Sequence, residues 1–173
     1  VNNREPGLGS AAGLLAALYA QKERQDDAEA VLLKAIDNSD DPLNLQVRLA
    51  QLYRAQEKND LVEDLLQTII EENPDKLDYR VSLATFLSGI DQKDKAEQVL
   101  RDAITADPED AQRYLMLVQF FVDQKDPETA IRILKGFIQE RPDMTELQFG
   151  LAKLYIADGK KEEAKQVLEK IIN

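Results

Sequence analysis

The side chains that could carry out chemistry in this sequence are almost all carboxylates. The chain has 33 Asp and Glu residues and 22 Lys and Arg residues, but neither His nor Cys. A Ser-His-Asp triad, a Cys nucleophile, a disulfide and an imidazole or thiolate metal ligand are therefore excluded. Paired carboxylates remain, but most acids, such as Glu162, Glu163 and Glu169, lie in charged runs typical of solvated helix faces. We therefore expect a protein that is not an enzyme and that needs no cofactor and no metal.

Two short motifs resemble ligand-binding loops but lack residues that those loops require. Residues 37–41 begin like a calcium loop, but Pro42 occupies the sixth position, where the turn needs Gly. Arg48 occupies the twelfth position, where a Glu should bind the ion through both oxygens. Gly7-Leu8-Gly9 lacks the preceding strand and the third Gly of a dinucleotide-binding fingerprint. Neither motif predicts a ligand site.

The charge of the chain disfavours polyanionic partners. The net charge is −11 and the pI is about 4.6, so phosphate backbones and anionic lipid surfaces should repel the protein. No run of 18 apolar residues is present, so we expect no membrane insertion. Residues 1–7 do not resemble a signal peptide, and a soluble protein of either the cytoplasm or the periplasm and envelope fits the sequence.

The elements that carry these side chains repeat every 34 residues. Pro74, Pro108 and Pro142 keep this spacing, and so do four apolar series, of which the most regular is Ile36, Ile70, Ile104, Ile138 and Ile172. A fixed period of this length predicts a stack of equivalent units. The units are 9–42, 43–76, 77–110, 111–144 and a shortened 145–173.

The pattern of apolar residues in each unit predicts two amphipathic helices. In 43–76 the apolar residues fall three, four and seven apart in two runs, which is the period of a helix with one buried face. Lys58-Asn59-Asp60 separates the two runs, and Asn73-Pro74 follows the second. No strand-like alternation of useful length appears. The sequence therefore predicts an all-α protein of ten paired helices.

Each unit resembles a tetratricopeptide repeat. That family's signature is L-G-x2-Y, then A-x3-F, then Pro over 34 residues, and it is matched here by Leu49-Ala50-x2-Tyr53 and by Ala96-x3-Leu100. The resemblance implies an α-solenoid of antiparallel helix pairs in a right-handed superhelix, forming a single domain over 1–173. The signature Trp is absent, and Val62 and Val118 replace small residues. These departures affect the expected packing rather than the expected fold.

The resemblance also implies where a partner would bind. In tetratricopeptide arrays the first helices line a concave groove through repeat positions 2, 5, 9 and 12. The candidate groove residues here are Val47, Gln51, Arg54, Val81, Thr85, Leu115, Gln119, Phe149 and Lys153. The alternative is that the apolar residues at position 5 pack against neighbouring first helices. The Lys, Asn and Arg set with which co-chaperones of this family hold a peptide carboxylate is not found in any three successive repeats.

A second candidate surface is the edge formed by the turns between repeats. Residues 37–42, 71–76, 105–110 and 139–144 carry 11 acids and two bases, whereas the turns within repeats carry 11 acids and seven bases. One edge of the stack should therefore be strongly anionic. Acids at helix starts also stabilise the helix macrodipole and improve solubility, which is the alternative explanation.

The two ends of the sequence keep the phase of the repeat. Pro6 lies two periods before Pro74, so residues 1–8 are expected to be the tail of a preceding repeat or a linker. The last helix, about 161–172, is expected to present Leu168, Ile171 or Ile172 to a further repeat. We therefore expect a segment of a longer array.

The function predicted from these features is a non-catalytic scaffold that binds a protein or peptide segment in the concave groove. One alternative is an adaptor region of a larger enzyme or envelope-assembly machine. Another is a self-assembling array, with homo-oligomers formed through exposed terminal helices. Helical RNA-reading repeats have a 35-residue period and basic faces, so the acidic 34-residue period here excludes them and no nucleic-acid partner is expected.

Overall fold

The computed structural model describes the backbone of residues 7–172 and the side chains of residues 9–172. This range folds as α1 (Gly7–Gln21), α2 (Gln25–Asp37), α3 (Leu43–Ala55), α4 (Asn59–Glu72), α5 (Leu77–Gly89), α6 (Lys93–Ala106), α7 (Ala111–Asp123), α8 (Pro127–Glu140), α9 (Thr145–Ala157) and α10 (Lys161–Ile172). The prediction of an all-α protein with two helices per repeat is confirmed.

The described helices fall into two compact units, and the division between them lies between Tyr79 and Arg80, within α5. In the first unit α1 packs against α2, α2 against α3 and α3 against α4, and α1 also contacts α3. In the second unit α6 packs against α7, α7 against α8, α8 against α9 and α9 against α10, and α7 also contacts α9. Each unit therefore combines sequential packing with contact between neighbouring first helices.

The cores are built from the apolar positions that repeat along the chain. Leu32, Leu66, Leu100 and Leu134 are all buried on second helices, one period apart. Ala28, Ala96, Ala130 and Ala164 are also buried and lie one turn earlier on the same type of helix. A small side chain lets the paired helices approach closely, and the Leu then fills the space between them.

Polar side chains occupy the position of the missing signature Trp and form hydrogen bonds there. The Tyr114 hydroxyl donates to the carbonyl oxygen of Pro108 at 3.0 Å, and Gln148 Nε2 donates to that of Pro142 at 3.1 Å. In the first unit the buried Gln46 occupies the same position and donates from Nε2 to Glu72 Oε2 at 2.8 Å. Tyr114 and Gln148 thus bond to the end of the preceding repeat, whereas Gln46 bonds to the end of its own repeat.

The turn inside every repeat contains one residue in the left-handed backbone region. These residues are Glu23, Glu57, Asp91, Lys125 and Gly159, with φ between 57° and 76°, and they are spaced by one period. A left-handed residue just after a helix allows the last carbonyls to be bonded by following amides. Only the last of the five is Gly, which adopts this conformation without steric cost.

Two Gly-to-Ala variants should change stability in opposite directions. Gly159→Ala places a Cβ on a backbone with φ of +76°, so we expect a loss of about 1 kcal/mol. Gly136 lies within α8, where an added Cβ would meet nothing within 4 Å, so Gly136→Ala should add about 0.5–1 kcal/mol. Urea unfolding of both variants tests the pair, and shifts of equal sign would contradict this assignment of the turn.

A hydrogen-bonded triad joins the first two repeats. The Tyr53 hydroxyl donates to Glu29 Oε1 at 3.0 Å, and Lys58 Nζ donates to Glu29 Oε2 at 2.9 Å. The Lys58 ammonium lowers the pKa of Glu29, and the Tyr53 hydroxyl lowers it further, against the opposing effect of partial burial. Burial raises the pKa of Tyr53 to about 12, and the hydrogen bond to Glu29 adds to this shift.

This triad predicts a loss of stability at high pH. The folded-state pKa of Tyr53 is above its ordinary value of 10.0, so its contribution is complete below pH 10 and is lost as the pH rises towards 12. Urea unfolding at about pH 9 and about pH 11 should show a larger decrease for wild type than for Tyr53→Phe. Equal decreases in the two proteins would show that Tyr53 ionises normally.

Candidate functional site

The first helices of the second unit approach closely at Gly150. A Cβ built on Gly150 would lie 2.6 Å from Leu115 Cδ2 and 3.5 Å from Leu134 Cδ2. Gly150 therefore lets α9 pack against the Leu115 side chain of α7. Leu115 is half-buried, so part of its side chain remains at the surface. This position contributes to packing between first helices as well as to the surface, as the alternative interpretation of position 5 proposed.

One face of α9 is apolar and open. Phe149 is 46% exposed and Ile156 is 55% exposed. They are seven residues apart and therefore share a helix face, with the exposed Lys153 between them. The corresponding positions of α7 are Leu115, Gln119 and Val122, and α7 and α9 are in contact. The packed pair thus presents apolar side chains next to polar ones, and we call these residues of α7 and α9 the first-helix surface.

The amide of Gln119 is already engaged on this surface. Its Nε2 donates to Asp123 Oδ1 at 2.8 Å, one turn further along α7. Both side chains are exposed, so this bond competes with water and contributes little to stability. A partner backbone can replace it without leaving a buried polar group unpaired.

The other predicted site residues lie on α5 and α3. On α5, Val81 is half-buried and Thr85 is exposed. In the first unit α3 carries the half-buried Val47 and the exposed Gln51 and Arg54. Of the helices that carry predicted site residues, α7 and α9 are in contact with each other. These two helices carry Leu115, Gln119, Phe149 and Lys153.

Ile156 is an exposed residue of this surface that is not among the predicted site residues. It occupies repeat position 12, the same position as Arg54 in the second repeat. The helical spacing in the sequence could have identified Ile156, because Phe149, Lys153 and Ile156 lie on one stripe of α9.

The three acids of the turn at residues 105–110 all interact with other groups of the protein. The Asp110 side chain accepts from Gln112 N and caps α7. Arg113 donates from Nε to Asp110 Oδ2 at 3.3 Å, and its Nη2 lies 3.9 Å from Asp107 Oδ2. Glu109 accepts from Arg141 Nη2 at 2.7 Å, which raises the pKa of that guanidinium. In the second unit this part of the acidic edge has a structural role.

Two other types of site are absent from the described residues. Across residues 7–172, no three Asp or Glu side chains are grouped closely enough to hold a metal ion. None of the helices in that range combines the length and the apolar character needed to cross a membrane.

Comparison with known proteins identifies related folds. The tetratricopeptide repeat family matches residues 53–119 and 121–173. A tetratricopeptide repeat protein from Parabacteroides merdae ATCC 43184 is 18% identical with a TM-score of 0.50, over 99% of this chain and 67% of that chain. The MamA RS-1 ArsTM double mutant is 13% identical with a TM-score of 0.50, over 95% of this chain and 93% of that chain.

MamA from Desulfovibrio magneticus RS-1 (residues 41 to the end) is also similar. It is 13% identical with a TM-score of 0.49, over 95% of this chain and 93% of that chain. The search of curated proteins gave no match. At these identities the similarity to solved structures concerns the fold alone.

Proposed function

Because the chain belongs to the tetratricopeptide repeat family, we propose that it is a non-catalytic scaffold that binds a segment of a partner protein. The proposed site is the first-helix surface, with Phe149 and Ile156 of α9 as its anchors. The observation that carries this proposal is the exposure of these two large apolar side chains on one helix face. Exposed apolar groups that are contiguous, rather than scattered, typically mark interaction sites.

The chemistry of this surface favours an apolar segment with an accessible backbone. Burial of Phe149 and Ile156 supplies most of the affinity, because a few large side chains usually dominate an interface. Gln119 and Lys153 can bond backbone carbonyls of the segment, and Gln119 can also accept from an amide. The cation of Lys153 disfavours a segment that is itself basic at this point.

A peptide selection can test this site without knowledge of the natural partner. Twelve-residue peptides would be selected on wild-type protein, and the affinity of the tightest peptide would be measured for Phe149→Ser/Ile156→Ser. We expect this variant to bind at least about tenfold more weakly, since two anchors are lost. The matched control is Leu33→Ser/Leu61→Ser, which removes two similarly exposed apolar side chains from second helices.

Salt dependence separates this surface from the acidic edge. Apolar binding should change by no more than about twofold between low and physiological ionic strength, whereas charge-driven binding weakens steeply. Unchanged affinity in Phe149→Ser/Ile156→Ser, together with strong salt dependence, would transfer the partner site to the acidic edge.

Self-association is a second candidate function, favoured by the surface of α1. Leu15 is 41% exposed and Leu18 is 54% exposed, although the same repeat positions are buried in the following three repeats, at Leu49, Leu83, Leu117, Leu52, Phe86 and Phe120. At the other end, Ile172 on α10 is 83% exposed. We propose that α10 of one copy covers α1 of the next, which reproduces the packing of α2 against α3.

Light scattering tests this head-to-tail contact. The contact joins two different surfaces, so further copies can add to each end and the mean mass should rise with protein concentration. Leu15→Glu/Leu18→Glu should remain monomeric at all concentrations. A constant monomer mass for the wild type over a hundredfold or so range of concentration would contradict self-association.

A further inference from the structure

A shallow depression of about 450 Å³ lies along the outward face of α8. It is lined by Ile131, Arg132, Lys135, Gly136 and Gln139 of α8, together with Lys160 from the turn between α9 and α10. A single acid, Glu128, stands at one end. The lining therefore carries a net positive charge in a protein whose net charge is −11.

The charge of this helix face departs from the repeat pattern. The positions of Glu128, Arg132, Lys135, Gly136 and Gln139 correspond on α4 to Asp60, Asp64, Gln67, Thr68 and Glu71. The same positions of α6 are Asp94, Gln98, Arg101, Asp102 and Thr105. The outward faces of α4 and α6 are thus net negative, and that of α8 is net positive.

The cations of α8 make no direct ion pair with a carboxylate in the described part of the chain, but one carboxylate is close enough to interact with Arg132. Hydrogen bonds from Thr129 lower the pKa of Asp126, and the Arg132 charge lowers it further. Within residues 9–172, no carboxylate forms an ion pair with Arg132 or Lys135; Lys135 Nζ instead lies 5.5 Å from the centre of the Tyr155 ring. Lys160 has a partner, Asp158, at 2.7 Å, and that hydrogen bond raises its pKa. Arg132 and Lys135 are like charges three residues apart on one helix and therefore repel each other, and an incoming anion would relieve this repulsion.

Gly136 leaves space for a ligand backbone. It lies in the middle of α8 with open space where a Cβ would stand, although Gly in a helix interior costs about 0.5–1 kcal/mol relative to Ala. The corresponding residues of the other second helices are Lys34, Thr68, Asp102 and Lys170. A Gly here has no packing role within the described residues, and it allows a bound chain to approach the helix closely.

We propose that this depression binds a short Glu-rich segment of a partner protein. Arg132, Lys135 and Lys160 are spread along the depression rather than converging on one point, so they suit successive carboxylates of one chain. The buried Ile131 offers an apolar floor for Glu methylenes, and the Gln139 amide can bond the segment's backbone. Charge complementarity is the basis of the recognition.

This site is separate from the first-helix surface. It uses the outward face of a second helix, whereas the proposed scaffold function uses α7 and α9 through Phe149 and Ile156. Substitutions at either site therefore leave the other intact, and each proposal can fail independently.

The probe for the test is a fluorescein-labelled peptide, Gly-Glu-Ala-Glu-Glu-Ala-Glu-Gly, with a Gln-for-Glu peptide as its counterpart. Fluorescence anisotropy would compare wild type with Arg132→Glu/Lys135→Glu and Gly136→Gln. We expect both variants to bind at least about tenfold more weakly and the Gln peptide not to bind. Gly136→Gln fills the depression without changing its charge, and it should stabilise α8, so unfolding cannot explain its loss of binding.

The matched control is Lys34→Glu/Lys93→Glu, which changes the net charge equally at exposed sites of other helices. Equal weakening in this control would show that only overall charge matters and would overturn the proposal. Binding of Arg132→Glu/Lys135→Glu at wild-type affinity would also overturn it. So would displacement of the peptide by inorganic phosphate at equal concentration, or binding to anionic vesicles but not to the peptide.

Discussion

Replacement of Leu100 by Ala is expected to lower the free energy of unfolding by about 2–5 kcal/mol. Leu100 is fully buried on α6, and the lost methyl groups would leave a cavity that a packed core relaxes only in part. The loss should appear in urea unfolding as a lower midpoint with an unchanged slope.

Gln98→Ala is the matched control for Leu100→Ala. Gln98 lies on the same helix two residues earlier, is exposed, and donates only to Asp102, one turn away. Its replacement should change the free energy of unfolding by no more than about 0.5 kcal/mol. Equal midpoints for Leu100→Ala and Gln98→Ala would contradict the assignment of buried and exposed faces on α6.

Replacement of Arg113 by Ala should lower the free energy of unfolding by about 2–3 kcal/mol. Arg113 is one of two buried polar residues in the described range. It donates from Nη1 to the carbonyl oxygen of Ala103 at 3.1 Å, near the end of α6, and its Nε donates to Asp110. Loss of the side chain removes donors from a helix end and from a carboxylate together.

Arg80 provides the comparison, because its Nε lacks the kind of hydrogen bond that Arg113 makes. Its Nε is buried without a hydrogen-bond partner among the described residues. Burial lowers the pKa of Arg80, and the nearby Arg113 charge lowers it further. Arg80→Met, which keeps the length of the stem, should therefore change stability by no more than about 0.5 kcal/mol. A loss as large as that of Arg113→Ala would show that Arg80 is a structural cation too.

The repeat period made the fold predictable. Positions such as Leu32, Leu66, Leu100 and Leu134 fix the buried face of each second helix, and a face fixed five times over leaves little freedom for another fold. Two helix starts carry a local signal as well, since Asp110 and Asp126 precede helices and their side chains cap them.

The binding surface was less predictable, because exposure depends on the neighbouring helix. Leu115 and Phe149 hold the same repeat position, yet Leu115 packs on Gly150 while Phe149 remains open. The period assigns them one role, and only the contact between α7 and α9 distinguishes them. The basic face of α8 departs from the repeat pattern, so the 34-residue period does not predict it.

The left-handed turn residues also bear on how such a chain can change its length. Because Glu23, Glu57, Asp91, Lys125 and Gly159 recur at one spacing, any two of these turns have interchangeable backbones. A genetic crossover between two of them removes or duplicates a whole number of periods and joins turn to turn. The turn at the new junction has the same backbone conformation as the original turns. A chain with a different number of repeats can therefore fold with the same turn structure.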